Sequence, residues 1–489
     1  MPRLLTLIVT LSVALVPFVP AVGRMNVVLI LADDLGRHDL SCTGSDLYHT
    51  PHIDRLASES LSFAQAYSSH PTCSPSRSAI LSGKCPAKLG IVSHGALRKV
   101  VGGGDGTFLV PEEYTLAEAL RDAGYTTGHV GKWHVGKEGK AGPKEQGFHH
   151  DLASNEFCCT GSFFYPYTKK GKDGEVDAAS AVPDLADRGP EDHLTEALAE
   201  EAVEFIGAHK EETFFLNLWT YAVHTPIQAE RDKVKKYKSI LDNRPADATQ
   251  HQTNPNYAGL VEHLDDCVGR VMKAIEANGL ADNTIVIFTS DNGGEIRNGV
   301  TNNYPLRNGK VSQYLGGTRV PLFVRWPGVT KPTAVCDTAV IGHDLYPTIL
   351  GMTGVAGDAT QNAAMDGRDL TPLLRDPTGA ELDRDTLHWL RHPVVFHYRN
   401  QMDEPGMGPC GSVVRGDWKL IELLPTPQGV EQSFELYNLR NDPSETTNLA
   451  EQYPGVVAEL SAAMVAWREE VDAPKYESAY AEYEKIKAP

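Results

Sequence analysis

The stretch Asn26-Val27-Val28-Leu29-Ile30-Leu31-Ala32-Asp33-Asp34 decides the architecture. An apolar run without alternation suits a parallel strand buried on both faces, and here it ends abruptly in two carboxylates. Three more runs have the same form. Thr126 to Val130 leads into Gly131-Lys132-Trp133-His134, Thr213 to Trp219 leads to His224-Thr225-Pro226, and Thr284 to Thr289 leads to Asp291-Asn292. Helical patterns lie between them. Thr115 to Ala123 opens with a capping box (Thr115, Glu118) and stops at Gly124. Leu194 to His209 is amphipathic, and Tyr257 to Ala277 aligns Leu260, Val261, Leu264, Val268, Val271 and Ile275 on one stripe. The alternation predicts an α/β fold with a large central, mostly parallel sheet flanked by helices. Ligands of open α/β sheets bind beyond the carboxyl ends of the strands, so the four polar clusters are expected to meet on one rim.

After about residue 380 the texture changes. Pro393 to Arg399, Gly411 to Leu424 and Ser433 to Leu439 read as short antiparallel strands, and Pro454 to Val471 as a helix. A larger domain over 24–380 and a smaller C-terminal α/β subdomain over 381–489 are therefore expected. Met1 to Gly23 reads as a signal peptide: Arg3, an apolar run from Leu4 to Val16, and the small residues Ala21-Val22-Gly23. Pro17 and Pro20 interrupt the run, which is short for a bilayer; a retained anchor is the alternative. The expectation is an exported protein, periplasmic or secreted, without stable membrane insertion. No Asn lies in an N-x-Ser/Thr sequon, which favours a bacterial source.

The 489 residues carry 45 Lys+Arg against 64 Asp+Glu, a formal net charge of −19 to which the leader contributes only Arg3. A surface that acidic repels polyanions, which excludes a general nucleic-acid binder. With 41% hydrophobic and 22% charged residues, disordered and channel-like classes are excluded as well. Eight irregularly spaced cysteines, two of them the adjacent Cys158-Cys159, are too few to build the fold from disulfides.

The segment most charged with chemistry is Cys73-Ser74-Pro75-Ser76-Arg77-Ser78-Ala79-Ile80-Leu81-Ser82-Gly83-Lys84. Pro75 suits a first helical turn and Ser74 can cap it, placing Cys73 at a helix N-terminus whose N–H groups favour an anion. Arg77, one turn inside, can point back to the same place. On the residues alone, a buried structural thiol is the competing reading. The whole segment resembles the sulfatase signature C-x-P-S-R-x-x-x-[LIVM]-[TS]-G-[RK] and matches it at every specified position. The resemblance, to the formylglycine-dependent type I sulfatases of the alkaline phosphatase superfamily, implies that a maturation enzyme oxidises Cys73 to formylglycine, whose hydrate is the nucleophile.

Other segments resemble the same family in the same order. Asp33, Asp34, Asp291 and Asn292 offer only oxygen, mostly anionic, which selects a hard cation. The resemblance implies that they hold Ca²⁺, with Mg²⁺ the lesser alternative, and that residue 73 adds a formylglycine hydroxyl as a further ligand. Gly131 to His134, Ala222 to Pro226, and Arg307-Asn308-Gly309-Lys310 ahead of Gly316 to Pro321 are also similar to sulfatase segments. Their resemblance implies that Lys132 and Lys310 hold sulfate oxygens, that His224 lies near the leaving-group oxygen, and that His134 takes the proton that collapses a sulfated intermediate. Leu315 departs from the pattern, standing where many relatives carry Glu, and is read as a pocket or packing difference.

The implied reaction is sulfate-ester hydrolysis by double displacement. Two readings compete with it: a phosphonate monoester or phosphodiester hydrolase using the same formylglycine, and a non-catalytic glycan-binding protein with unconverted Cys73. The expected substrate is a sulfated carbohydrate, attacked at a chain end. An exported enzyme without a membrane hairpin argues against steroid-type members. Asn155 to Tyr167, Arg297 to Arg307 and His397 to Asn400 are candidate cleft-lining segments.

Overall fold

The Asn26–Ala32 run is strand β1, interior to an eight-stranded sheet. The other strands are β2 (Leu61–Phe63), β3 (Thr126–Gly131), β4 (His150–Leu152), β5 (Phe214–Trp219), β6 (Thr284–Ser290), β7 (Leu322–Arg325) and β8 (Val335–Cys336). Their order is β4-β3-β5-β1-β6-β7-β2-β8. Only β7 runs antiparallel to its neighbours, so the sheet is mostly parallel, as the unbroken apolar runs predict. This computed structural model describes residues 24–93, 109–155, 158–169, 177, 180–245, 251–392, 408–425 and 431–475. The leader over 1–23 and the strand expected at Pro393 to Arg399 lie outside the described residues.

Successive side chains leave a strand on opposite faces. Val27, Leu29 and Leu31 of β1, with Phe215, Ile285 and Ile287 of its neighbours, pack against α1 (Cys73–Ser82) and α2 (Leu116–Asp122). Val28 and Ile30, with Leu216, Leu218, Val286 and Phe288, pack against α3 (Leu194–Ala208) and α4 (Pro255–Ala277). Each fully buried aliphatic side chain contributes about 1.5–3 kcal/mol, so covering both faces makes these central strands the stable platform. The capping box forms as expected: the Glu118 N–H donates to Thr115 Oγ1 at 3.2 Å, and the Thr115 N–H donates to Glu118 Oε2 at 2.8 Å.

A second sheet comprises β9 (Leu387–Arg391), β10 (Cys410–Arg415), β11 (Trp418–Leu423) and β12 (Ser433–Asn438), all antiparallel. Helix α5 (Pro454–Glu470) covers it through Leu460 and Met464, which meet Val413, Leu420 and Leu436. The run Gly411 to Leu424 is thus two strands and not one. Arg415 pairs with Trp418 across a two-residue turn in which Gly416 takes φ 54°.

Register brings the rim together. Ala32 pairs with Ser290, Leu31 with Trp219, and Gly131 with Trp219. The carboxyl ends of β1, β3, β5 and β6 are therefore level, and the polar residues after them emerge side by side. Among the described residues, no helix is long and apolar enough to cross a membrane.

Candidate active site

Helix α1 starts at Cys73 itself, two residues earlier than a Ser74 cap would allow. The residue before it, Thr72, is extended and does not cap either, because its hydroxyl is engaged with His70 Nδ1 at 2.8 Å. Pro75 is tolerated as the third helical residue, since the first four N–H groups lack intrahelical partners in any case. The helix stops at Gly83, which takes the left-handed conformation with φ 70°. All ten residues of α1 are buried, so its N-terminus opens inside the protein, under the rim.

The four clusters meet there. Cys73 Sγ lies 3.6 Å from Asp33 Oδ1, 3.8 Å from Asp34 Oδ1 and 3.5 Å from Lys310 Nζ. Arg77 Nε donates to Asp291 Oδ2 at 2.8 Å, and Arg77 Nη1 donates to the Lys132 carbonyl at 3.1 Å. Lys132 Nζ pairs with Asp33 Oδ2 at 2.6 Å, and Lys310 Nζ with Asp34 Oδ2 at 2.7 Å. His224 Nε2 stands 3.5 Å from Asp34 Oδ2. Backbone choices make this convergence possible. A Cβ on Gly131 (φ 101°) would fall 2.2 Å from the Trp219 carbonyl, the group that accepts the Lys132 N–H at 2.7 Å. Any other residue there would push Lys132 off the rim.

Cys73, Asp33, Asp34, Arg77, Lys132, Asp291 and Asn292 are at most 3% exposed. Burial pushes the Cys73 thiol well above its ordinary range, although Lys132 and Lys310 oppose the shift. A protonated, buried thiol is a poor nucleophile. Burial also raises the Asp33 carboxyl, with Lys132 opposing. At Asp34 burial acts in the same direction, but Lys310, His224 and Lys132 outweigh it and hold the carboxyl below its usual range. His224 is lowered to about 3 by burial and by Lys310. Its Nδ1 lies 2.8 Å from the Thr225 carbonyl, which can only accept, so Nδ1 carries the hydrogen and Nε2 faces Asp34.

The donor set fits a divalent cation. Ligand atoms of Asp33, Asp34, Cys73 and Asp291 all lie within 4.8 Å of one another. Asn292 donates through Nδ2 to Asp34 Oδ1 at 2.8 Å, while its Oδ1 is buried without a hydrogen-bond partner. A buried acceptor left unmade is expensive, and three buried carboxylates beside it call for positive charge. Carboxylate and amide oxygens together suit a hard ion.

His134 follows β3 with φ 55°, and its N–H donates to the Asn155 carbonyl at 3.2 Å. Of the candidate cleft-lining residues, Phe163 and Tyr167 are fully buried in the core, whereas Phe164 and Tyr165 beside them are half-buried and Pro166 is exposed. His397 to Asn400 lie outside the described residues. Leu315 packs with Tyr67, Ile341, Leu387, Trp389 and Val414, in keeping with a packing difference. Sequence reasoning does not single out Trp219, whose ring lies 5.0 Å under the Arg77 guanidinium. A Trp closing a buried strand beside the rim is the available signal.

Comparison with known proteins agrees with this geometry. Residues 25–355 match the sulfatase family, and residues 310–470 match the family described as N-sulphoglucosamine sulphohydrolase, C-terminal. A sulfatase of Formosa agariphila is 33% identical over 488 residues, covering 88% of this chain and 85% of that one. The steryl-sulfatase of Rattus norvegicus is 31% identical, covering 77% and 73%. The N-acetylgalactosamine-6-O-sulfatase of Bacteroides thetaiotaomicron is 28% identical, covering 90% and 92%. Among solved structures, Ps i-CgsB in complex with k-i-k-neocarrahexaose superposes with a TM-score of 0.75 at 26% identity, covering 95% and 98%. The chain belongs to the sulfatase family, whose members hydrolyse sulfate esters.

Proposed function

We propose that this enzyme removes sulfate from a carbohydrate, using formylglycine made from Cys73 and a calcium ion held by Asp33, Asp34, Asp291 and Asn292. The observation that carries the proposal is the convergence on Cys73 Sγ of two carboxylates and the Lys310 ammonium, all within 3.8 Å. The protonated state of the thiol supports a converted residue as nucleophile. Formylglycine supplies, as its hydrate, hydroxyl groups at the place of Sγ. The cation supplies Lewis acidity towards oxygen.

The chain's own residues do the rest. Arg77 holds Asp291 and lies 3.5 Å from Asp33 Oδ1, fixing two carboxylates in place. Lys132 and Lys310 bind sulfate oxygens and take up negative charge as the ester bond breaks. His224 presents Nε2 towards the leaving-group oxygen. Burial is the main reason its pKa is low, and an anion between it and the lysines would offset the further lowering by Lys310 and Lys132. His134 takes the proton that releases sulfate and restores the aldehyde. The carbohydrate assignment rests on the N-acetylgalactosamine-6-O-sulfatase and neocarrahexaose likenesses. Export accords with the apolar leader, and a formylglycine-generating enzyme is the required partner in maturation.

The test is co-expression with a formylglycine-generating enzyme, followed by incubation with sulfated mono- and oligosaccharides and with aryl sulfate, phosphonate and phosphodiester esters. Free sulfate from a sugar is the expected product. A preference for phosphodiesters, or no release by fully converted protein, would overturn the proposal.

A further inference from the structure

Lys310 sits in a strained piece of chain. Asn308 takes φ 61° and Val311 φ 79°, and a β-branched residue in the left-handed region is a genuine outlier. Such conformations persist only where surrounding structure over-determines them. From the main sheet's side, the Lys310 N–H donates to the Gly294 carbonyl at 2.9 Å and the Val311 N–H to the Pro71 carbonyl at 2.8 Å. The second sheet adds restraints of its own on both flanks of Lys310.

Upstream, Arg307 Nη1 donates to the Glu445 carbonyl at 2.8 Å and to Tyr437 Oη at 3.1 Å. Downstream, Lys419 Nζ donates to the Gln313 carbonyl at 2.6 Å, and Ser412 Oγ donates to Gln313 Oε1 at 3.0 Å. The Leu315 N–H donates to Glu445 Oε2 at 2.6 Å, and Glu445 Oε1 pairs with Lys419 at 2.7 Å. Lys419 and Glu445 are at most 1% exposed. A buried ion pair whose two ends grip backbone groups on one short segment constrains that segment far more than a surface pair could.

We infer that the second sheet and the segment that follows its last strand form a positioning clamp for the Lys310 loop, with Lys419 of β11 and Glu445 of that segment as its jaws. They act on turnover through Lys310, holding its ammonium over Asp34 and Cys73 in the strained conformation that the main sheet alone does not enforce. The kinetic half of this inference rests on the role proposed for Lys310 at the sulfate; the structural half does not. Glu445 and Lys419 are positioning residues and touch no reacting atom.

The test has two arms on full-length, converted enzyme, with Glu445→Gln and the milder Ser412→Ala as variants. Arg415→Ala is the control, because Arg415 lies on the same sheet but pairs with Asp385 and Glu459, away from the loop. In hydrogen exchange, both variants should speed exchange across 307–315 and leave β1 unchanged, and the control should leave exchange in both regions as in wild type. In kinetics with an aryl sulfate, Glu445→Gln should lower kcat/KM about tenfold, an effect that shrinks below about twofold in a Lys310→Ala background. Unchanged exchange over 307–315 in both variants overturns the clamp. Faster exchange with equal kinetic losses in both backgrounds overturns the action through Lys310. If converted wild-type enzyme releases sulfate from neither the aryl ester nor any sulfated sugar, the proposed function fails while the exchange arm still decides the clamp.

Discussion

Two groups of fully buried charge can be compared, the rim around Cys73 and the Lys419–Glu445 pair beneath the second sheet. In the pair, hydrogen bonding is complete in kind: the ammonium meets one carboxylate and one carbonyl, and each carboxylate oxygen has a donor. At the rim it is not. Asn292 Oδ1 has no hydrogen-bond partner, and Arg77 Nη2 makes no hydrogen bond, only a 3.5 Å approach to Asp33. Three carboxylates crowd one thiol. A saturated buried pair serves architecture, whereas an unsaturated one is set up for ligands from outside.

The largest effect should fall on chemistry alone. Cys73→Ala should lower turnover by more than about 10⁴-fold relative to converted wild type, because the proposed nucleophile is gone, while the circular dichroism spectrum stays that of wild type. Next come losses of one charge partner. Arg77→Met and Lys419→Met should each cost about 3–5 kcal/mol in urea unfolding, since each leaves buried carboxylate unpaired. The two regions should then part company. Adding Glu445→Leu to Lys419→Met should recover part of the loss, because no carboxylate is then left unpaired, while the Leu315 N–H and the Gln313 carbonyl still lack their partners. At the rim no single second substitution should do so, because Asp33 and Asp291 both lean on Arg77.

A smaller effect concerns the cation. Chelation should lower the melting temperature of wild type, and restoring calcium to about a hundred times its Kd should return about 2.7 kcal/mol. Asn292→Ala should blunt that response and Lys419→Met should not. Equal responses would erase the distinction between the regions.

The smallest effect is on titration. His224 and His129 are both held near pKa 3, His129 by burial with Arg77 adding to it and the Gly131 carbonyl opposing. For a His lowered on folding, the unfolded chain binds more protons. The stability it contributes is therefore whole above about pH 6.5 and is lost as pH falls from there towards 3. Added inorganic sulfate should raise the His224 midpoint, read from ring carbon shifts, and leave His129 unmoved, since His129 packs among Trp133, Phe148 and Trp219.

Much of the molecule is legible in the sequence because its signals are local. β1, β3, β5 and β6 announce themselves as unbroken apolar runs, and strand register then levels their ends, so Asp33, Lys132 and Asp291 meet without any long-range guess. The hairpin at Gly416-Asp417 does carry a local signal, Gly followed by Asp between two strand-like runs, which reading Gly411 to Leu424 as one run overlooks. The start of α1 lies two residues before the sequence expectation, with Thr72 at the cap position and its hydroxyl turned to His70 two residues upstream. Phe163 and Tyr167 pack in the core against expectation, because an aromatic ring reads alike in sequence whether it packs or binds. The grip of Glu445 on Leu315 spans 130 residues, and no periodicity or motif encodes it.

Whether residue 73 is the converted nucleophile is decided by the mass of the peptide spanning Cys73, taken from the preparation whose sulfate release is assayed. The expected peptide is lighter than the cysteine form, with free sulfate released from a sulfated sugar in proportion to the converted fraction. Full activity from protein carrying only unmodified cysteine would contradict that role for residue 73.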